Sequence, residues 1–237
     1  TIDSTVLGET RRINVYRPSP YGLAPDAPLP VLYMPDGGIG EDFLHVAGLV
    51  QVSTGNGTMR PFLLVGIENT ERRRDLTGPT GNAEDRTIAP RVGGSATFRA
   101  FIRTELMPAI RARYRTLDET AIVGESLAGL FVVETLLLEP ALFDTYIAFD
   151  PSLWWNDSAL VSQAERLPEG LSSTRLYLAV SRDGDRADAA KRFSAALARV
   201  KARLSLSVYE PMDNETHATI YHPAALRAFR LLFKPPA

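Results

Sequence analysis

The chain contains no cysteine among its 237 residues. That single absence removes disulfides, thiolate nucleophiles, cysteine-ligated zinc and iron–sulfur clusters, and leaves the redox compartment open. Charge of one sign is also missing: 26 basic against 28 acidic residues give a net charge of −2. Such a balance offers no electrostatic footprint for nucleic acid or an anionic membrane, so neither is expected as a partner. Lysine is scarce, with only Lys191, Lys201 and Lys234, so the cationic charge is almost all arginine. No apolar run approaches the roughly 18–20 residues that span a bilayer. The longest, Leu130 to Leu138, is interrupted by Glu134, and a soluble protein is expected. A chain that begins at Thr1 is compatible with a removed signal peptide, which keeps cytoplasmic and periplasmic or secreted locations open.

What is present is 45% apolar and 23% charged residues, a globular composition. No repeat and no Gly/Ser linker divides the sequence, so one domain over 1–237 is expected. Strand-length apolar or alternating runs recur at Arg12–Arg17, Leu29–Met34, Pro61–Ile67, Thr120–Val123, Thr145–Phe149, Leu176–Val180 and Leu204–Tyr209. Several are continuous rather than alternating, as in strands covered on both faces. Helical periods lie between them: Phe43 to Val50; Phe98, Phe101, Ile102, Leu106 and Ile110 after Ser95 as N-cap, with a kink at Pro108; Leu127 to Leu138; Phe193, Leu197 and Val200; and Leu226, Phe229, Leu232 and Phe233. Alternating strands and helices predict an α/β fold, a mostly parallel central sheet with helices on both faces and an antiparallel start. The stretch 68–97 is rich in Gly, Pro, Thr and Arg and shows no period, which marks a lid or binding loop. A second candidate loop, Asp150 to Asp157, carries both tryptophans.

The segment Thr120-Ala-Ile-Val-Gly124-Glu-Ser126-Leu-Ala128-Gly129 runs from a buried strand through a small-residue turn into an apolar helix. That is the context of a nucleophile elbow, in which small residues at 124 and 128 let the helix pack tightly on the strand while Ser126 occupies the strained turn. A serine hydroxyl needs a base. Of three histidines, His217 follows the last predicted strand and is the expected base, with His222, just before the final helix, as the alternative and His45 in an early helix. The third member should be a carboxylate at a strand end between the two. Asp183 is expected, with Asp185 and Asp150 as alternatives. Oxyanion donors are expected from the N–H of Leu127 and from Gly37 and Gly38 in the loop after an early strand.

Other chemistries fit poorly. Gly37-Gly38-x-Gly40 lacks dinucleotide-loop spacing, and no phosphate loop of the G-x-x-x-x-G-K type exists. His217 and His222, five apart, have no third ligand nearby for zinc. The run Asp183-Gly-Asp185-Arg-Ala-Asp188 lacks the sixth-position glycine and twelfth-position glutamate of a calcium loop. No cofactor and no metal is expected. Arg73 and Arg74, beside Arg72 in the long loop, together with Trp154 and Trp155, are the expected substrate clamp for an aromatic or anionic acyl group.

The order Leu32-Tyr-Met-Pro-Asp36-Gly37, Arg73-Arg-Asp75-Leu-Thr, Phe101-Ile-Arg-Thr-Glu-Leu-Met-Pro108, Gly124-Glu-Ser126-Leu-Ala-Gly129, Pro151-Ser-Leu-Trp154-Trp155 and Thr216-His217 resembles the esterase family of α/β-hydrolases that groups esterase D-like enzymes with the enterobactin and other siderophore esterases. The resemblance implies an α/β-hydrolase fold, Ser126 and His217 as nucleophile and base, and an acid near Asp183. It also implies cleavage of a carboxylic ester, of aryl or siderophore type, as a small-molecule substrate. An acyltransferase of the same fold and a catalytically silent binding protein share these features and stay open at this point, as does the oligomeric state.

Overall fold

The computed structural model describes residues 1–20, 22–164, 173–199 and 204–236. A hairpin of β1 (Ile2–Ser4) and β2 (Glu9–Arg11) precedes a seven-stranded sheet. In chain order its strands are β3 (Ile13–Tyr16), β4 (Leu29–Pro35), β5 (Leu63–Ile67), β6 (Thr116–Glu125), β7 (Thr145–Phe149), β8 (Arg175–Ser181) and β9 (Leu206–Met212). They lie in the order β3-β5-β4-β6-β7-β8-β9. Only β3, paired with β5, runs antiparallel. Strands β4, β5 and β7 are buried at every position, the reason their sequences read as continuous apolar runs.

Two cores cover the sheet. On one face, Phe98, Phe101, Phe131 and Phe193 pack on Tyr33, Val65, Ile122 and Tyr146. These phenylalanines come from α3 (Ser95–Phe101), α5 (Ser126–Leu138) and α7 (Gly184–Arg199). On the other, α1 (Phe43–Gly55) and the C-terminal α8 (Tyr221–Leu232) contribute Phe43, Val46 and Phe229 against Leu32, Val123 and Ile147. Neighbouring residues such as Ile122 and Val123 thus serve opposite faces, the two-residue period of a strand. No helix among the described residues is long and apolar enough to cross a membrane.

Three local expectations change. The helix after Ser95 is not split at Pro108 but runs on through it: a π turn at Ile102–Leu106 joins α3 to α4 (Met107–Arg113), and that widened turn just before Pro108 makes room for its ring and missing N–H in an unbroken helix. Ser95 is the first helical residue rather than the N-cap, a position taken by Gly94. The stretch 68–97 is not structureless. It holds α2 (Arg72–Leu76) and a 3₁₀ turn at Asp85–Thr87, and it is strapped to the start of α6 (Trp155–Gln163). There the Trp155 indole donates to Gly78 O at 2.9 Å, the Asn156 N–H to Asp85 Oδ2 at 2.8 Å, and the Asn82 amide to Asp157 Oδ1 at 2.8 Å.

Helix α5 follows β6 without an intervening loop, and Gly124 is what allows it. A Cβ there would lie 2.6 Å from the Ala128 carbonyl carbon and 2.7 Å from its Cβ. Both neighbours are fixed by the helix, so a larger residue must push α5 off the sheet. Gly124→Val is therefore expected to lower stability by about 2–4 kcal/mol in a denaturant titration; wild-type stability would show that this contact has slack.

Candidate active site

Ser126 sits at the sheet's C-terminal edge, first in α5, with φ +59°. Left-handed backbone is costly for a side chain larger than glycine and survives only where the surroundings enforce it. Here the strand, the helix and the Ser152 N–H bonded to Ser126 O at 3.0 Å enforce it. The loop between β9 and α8 brings His217 opposite, with Nε2 at 3.1 Å from Ser126 Oγ. His222 and His45 are elsewhere: their rings lie 5.5 Å from each other, and His45 packs edge-on against Tyr221. Of the three, the structure brings only His217 into hydrogen bonding with Ser126.

The ring partner is not the expected Asp183. Asp150, at the end of β7, faces His217 Nδ1 with Oδ2 at 3.2 Å. It is 1% exposed, has φ +39°, and accepts the Ser181 N–H on Oδ1 at 2.6 Å and the Ser181 hydroxyl on Oδ2 at 2.5 Å. Burial pushes its pKa up, but the hydrogen bonds from His217 and Ser181 outweigh that and hold it below the ordinary aspartate range. Asp183 instead accepts the backbone N–H of His217. It fixes the loop rather than the imidazole, because β8 lies one strand farther from Ser126 than β7. The Asp185 side chain lies outside the described residues.

A second carboxyl shares the same ring nitrogen. Glu125, the residue before the nucleophile, has Oε1 3.1 Å from His217 Nδ1, yet that oxygen is buried without a hydrogen bond. Burial, then the charges of Asp150 and Asp42, push its pKa up to about 8, against a downward pull from Arg72. Nothing in the sequence analysis singled it out. The available signal was an acidic residue directly after the apolar or small run Thr120–Gly124 that ends a strand.

The glycine amides expected at the oxyanion are already engaged. Gly37 N–H completes the sheet by donating to Ile67 O at 2.9 Å, and Gly38 N–H donates to Glu41 Oε2 at 2.6 Å. Leu127, second in α5, keeps an N–H with no intrahelical acceptor. The expected clamp divides. Trp155 is buried in the core and bonded to Gly78, while Trp154 is half-buried against it. Arg74 is saturated by Glu9, Asp75 and Glu71. Arg73 is exposed and bonded through one nitrogen to Ile88 O. Arg72 grips Asp36 through Nε and Nη2 at 2.7 and 2.8 Å. Together with Glu71, Ala89, Pro90 and Arg91, Arg72, Arg73 and Arg74 line a cleft of about 610 Å³.

Because folded Glu125 keeps its proton to about pH 8, the folded protein binds more protons than the unfolded chain from the ordinary glutamate range up to that pH, and stability falls as pH rises across this window. Glu125→Gln removes the penalty. Its stability relative to wild type, from urea titrations, is expected to improve by about 1–3 kcal/mol between about pH 5 and pH 9; a pH-independent difference would contradict this.

The family described as "Putative esterase" matches residues 4–224. Among curated proteins, the chain is 33% identical to the ferri-bacillibactin esterase BesA of Bacillus subtilis over 66% of its own length and 59% of the relative's. It is 38% identical to the siderophore triacetylfusarinine C esterase of Aspergillus fumigatus over 41% of its length and 33% of the relative's. It thus spans less than two thirds of the length of these curated relatives. An IroE-like serine hydrolase from Shewanella oneidensis superposes with a TM-score of 0.85 at 28% identity, covering 98% of this chain and 78% of that one. The fold is that of the α/β-hydrolases, and the chain belongs to the esterase family that includes siderophore esterases.

Proposed function

We propose that the protein is a serine esterase that cleaves a carboxylic ester through an acyl-enzyme, and that its natural ester is of the siderophore type with an anionic portion. The observation that carries the reading is the line from Ser126 Oγ to His217 Nε2 at 3.1 Å and from His217 Nδ1 to Asp150 Oδ2 at 3.2 Å, built on a left-handed turn at the nucleophile. In this reading Nε2 takes the Ser126 proton as Oγ attacks the ester carbonyl. Asp150 supports the imidazolium, which returns the proton to the leaving alcohol, and water repeats the sequence on the acyl-enzyme.

The tetrahedral oxygen would be held by Leu127 N–H. With the Gly37 and Gly38 amides engaged, the second donor is assigned to Arg72. Asp36 immobilises two of its nitrogens and leaves Nη1 for a ligand, and its charge is felt by Glu125 beside the nucleophile. The substrate class is supported by the activities for which the curated relatives are named and by the cleft in which Arg73, bonded to a carbonyl, keeps its charge for a ligand, which suits carboxylate, catecholate or hydroxamate oxygens.

A fluorophosphonate with intact-mass readout is expected to label wild type once and Ser126→Ala not at all; labelling of both, or of neither, overturns the assignment. For the substrate class, Arg73→Ala is expected to raise KM for an anionic aryl ester by about tenfold and to leave a neutral ester nearly unaffected. Equal changes for the two esters would remove the cleft from the account.

A further inference from the structure

We propose that Glu125 is a positioning residue for this reaction: a second carboxyl seated on Nδ1 of His217 beside Asp150, able to orient the imidazole in Asp150's place. The inference rests on the esterase reading. It starts from a duplication, since one ring nitrogen has Glu125 Oε1 at 3.1 Å and Asp150 Oδ2 at 3.2 Å. Nδ1 carries a single hydrogen, and Asp150 receives it in a hydrogen bond. The buried Oε1 of Glu125 lies within reach of the same hydrogen and has no other partner among the described residues.

Two carboxylates cannot both be charged cheaply in that space. Asp150 holds the charge because Ser181 supplies two further hydrogen bonds to it, whereas Glu125 Oε1 receives none among the described residues and Glu125 retains its proton to about pH 8. The groups facing Glu125 come from every surrounding element. Asp36 and Asp42 lie before α1, Arg72 on α2, Asp150 at the end of β7, His217 before α8, and the buried Tyr221 within it. His45 is tied to Asp42 at 3.4 Å. Among these, the Asp150 charge is the strongest electrostatic influence keeping Glu125 protonated, second only to burial. Loss of that charge therefore makes Glu125 easier to ionise at the moment the Nδ1 hydrogen loses its acceptor. No covalent change is involved: the proton of Glu125 leaves to solvent, and Nδ1–H swings from one oxygen to the other.

The consequence is a substitution cost that depends on background. With p-nitrophenyl acetate as probe, Asp150→Asn is expected to lower kcat about a hundredfold, against the roughly 10⁴ lost where histidine has a single carboxyl partner. Glu125→Gln alone should cost about threefold, but more than about thirtyfold when added to Asp150→Asn. In Asp150→Asn the residual kcat should rise with pH as Glu125 ionises, and this rise should vanish in the double variant. Equal costs of Glu125→Gln in both backgrounds overturn the proposal, because a merely structural residue behaves that way.

Asp150→Asn also disturbs Ser181 and could fail to fold, so a second measurement uses wild type and Glu125→Gln alone. With ¹⁵N-histidine labelling and His217→Gln for assignment, the His217 Nδ1 resonance is expected to shift in wild type as the pH passes about 8 and not in Glu125→Gln. An identical titration in both, or none in wild type, overturns the proposal. This resonance reads the seat of Glu125 without turnover, whereas failure of fluorophosphonate to label wild-type Ser126 removes the esterase reading itself.

Discussion

The direct passage from β6 into α5 is the constraint on which the site depends. With no room for a side chain at 124 and a small one at 128, the chain can turn from strand to helix only by placing Ser126 in left-handed backbone. The same device recurs on the two flanking strands. Asp36 at the end of β4 has φ +56° and Asp150 at the end of β7 has φ +39°, and β4, β6 and β7 are neighbours in the sheet. Three adjacent parallel strands thus end on a strained polar residue at one edge, where ligands of open α/β sheets gather. Strain that would cost about 1–3 kcal/mol per residue is tolerated because each is locked by bonds that relaxation would break: Arg72 on Asp36, His217 on Ser126, Ser181 on Asp150.

Much of this was legible in the sequence. The central strands announce themselves because burial on both faces demands unbroken apolar runs, the half-buried edge strands β3 and β9 by alternation, and the elbow because its spacing of small residues has a steric cause. Chain order brings the base to the region after the last strand, and there His217 is separated from His222 only by the latter's place at the start of the final helix. Chain order does not place the acid. Asp150 and Asp183 both follow apolar strands, and nothing local says that β7 adjoins β6 while β8 stands one strand away; sheet order is a long-range property. The resemblance pointed toward Asp183 as well, and the structure explains the pull, since Asp183 does hold His217, through its peptide N–H rather than its ring.

The oxyanion glycines illustrate a different limit. A Gly-Gly pair shows that backbone can come close to something, not to what. Gly37 approaches Gly66 and Ile67 of β5, and Gly38 is capped by Glu41, so the freedom visible in the sequence is consumed by the fold. The hairpin β1–β2 was missed because its strands are three residues long. Yet it supplies Glu9 and Arg11, which with Arg74 and Asp75 form an ion-pair network under the long loop. Buried charges of this kind are weak evidence for net stability, but removal of one partner strands the others. The network therefore explains how a segment with no periodicity can be a fixed wall.

That wall resolves a conflict of charge. Beneath the imidazole, Asp36, Asp42 and Asp150 outnumber Arg72 while Glu125 keeps its proton, an arrangement that would favour a cationic His217 but oppose any negatively charged ester approaching Ser126. The opposite charge is placed to the side, where Arg73, bonded to a carbonyl, lines the cleft with Arg72, while Arg91 is paired with Glu71. Arg72 belongs to both regions: it is clamped by Asp36 on the acidic side and exposed to the cleft on the basic one. An anionic substrate anchored there would keep its charge on the arginines and present only its neutral ester carbonyl to the serine, so the acidity that helps the base need not repel what it acts on.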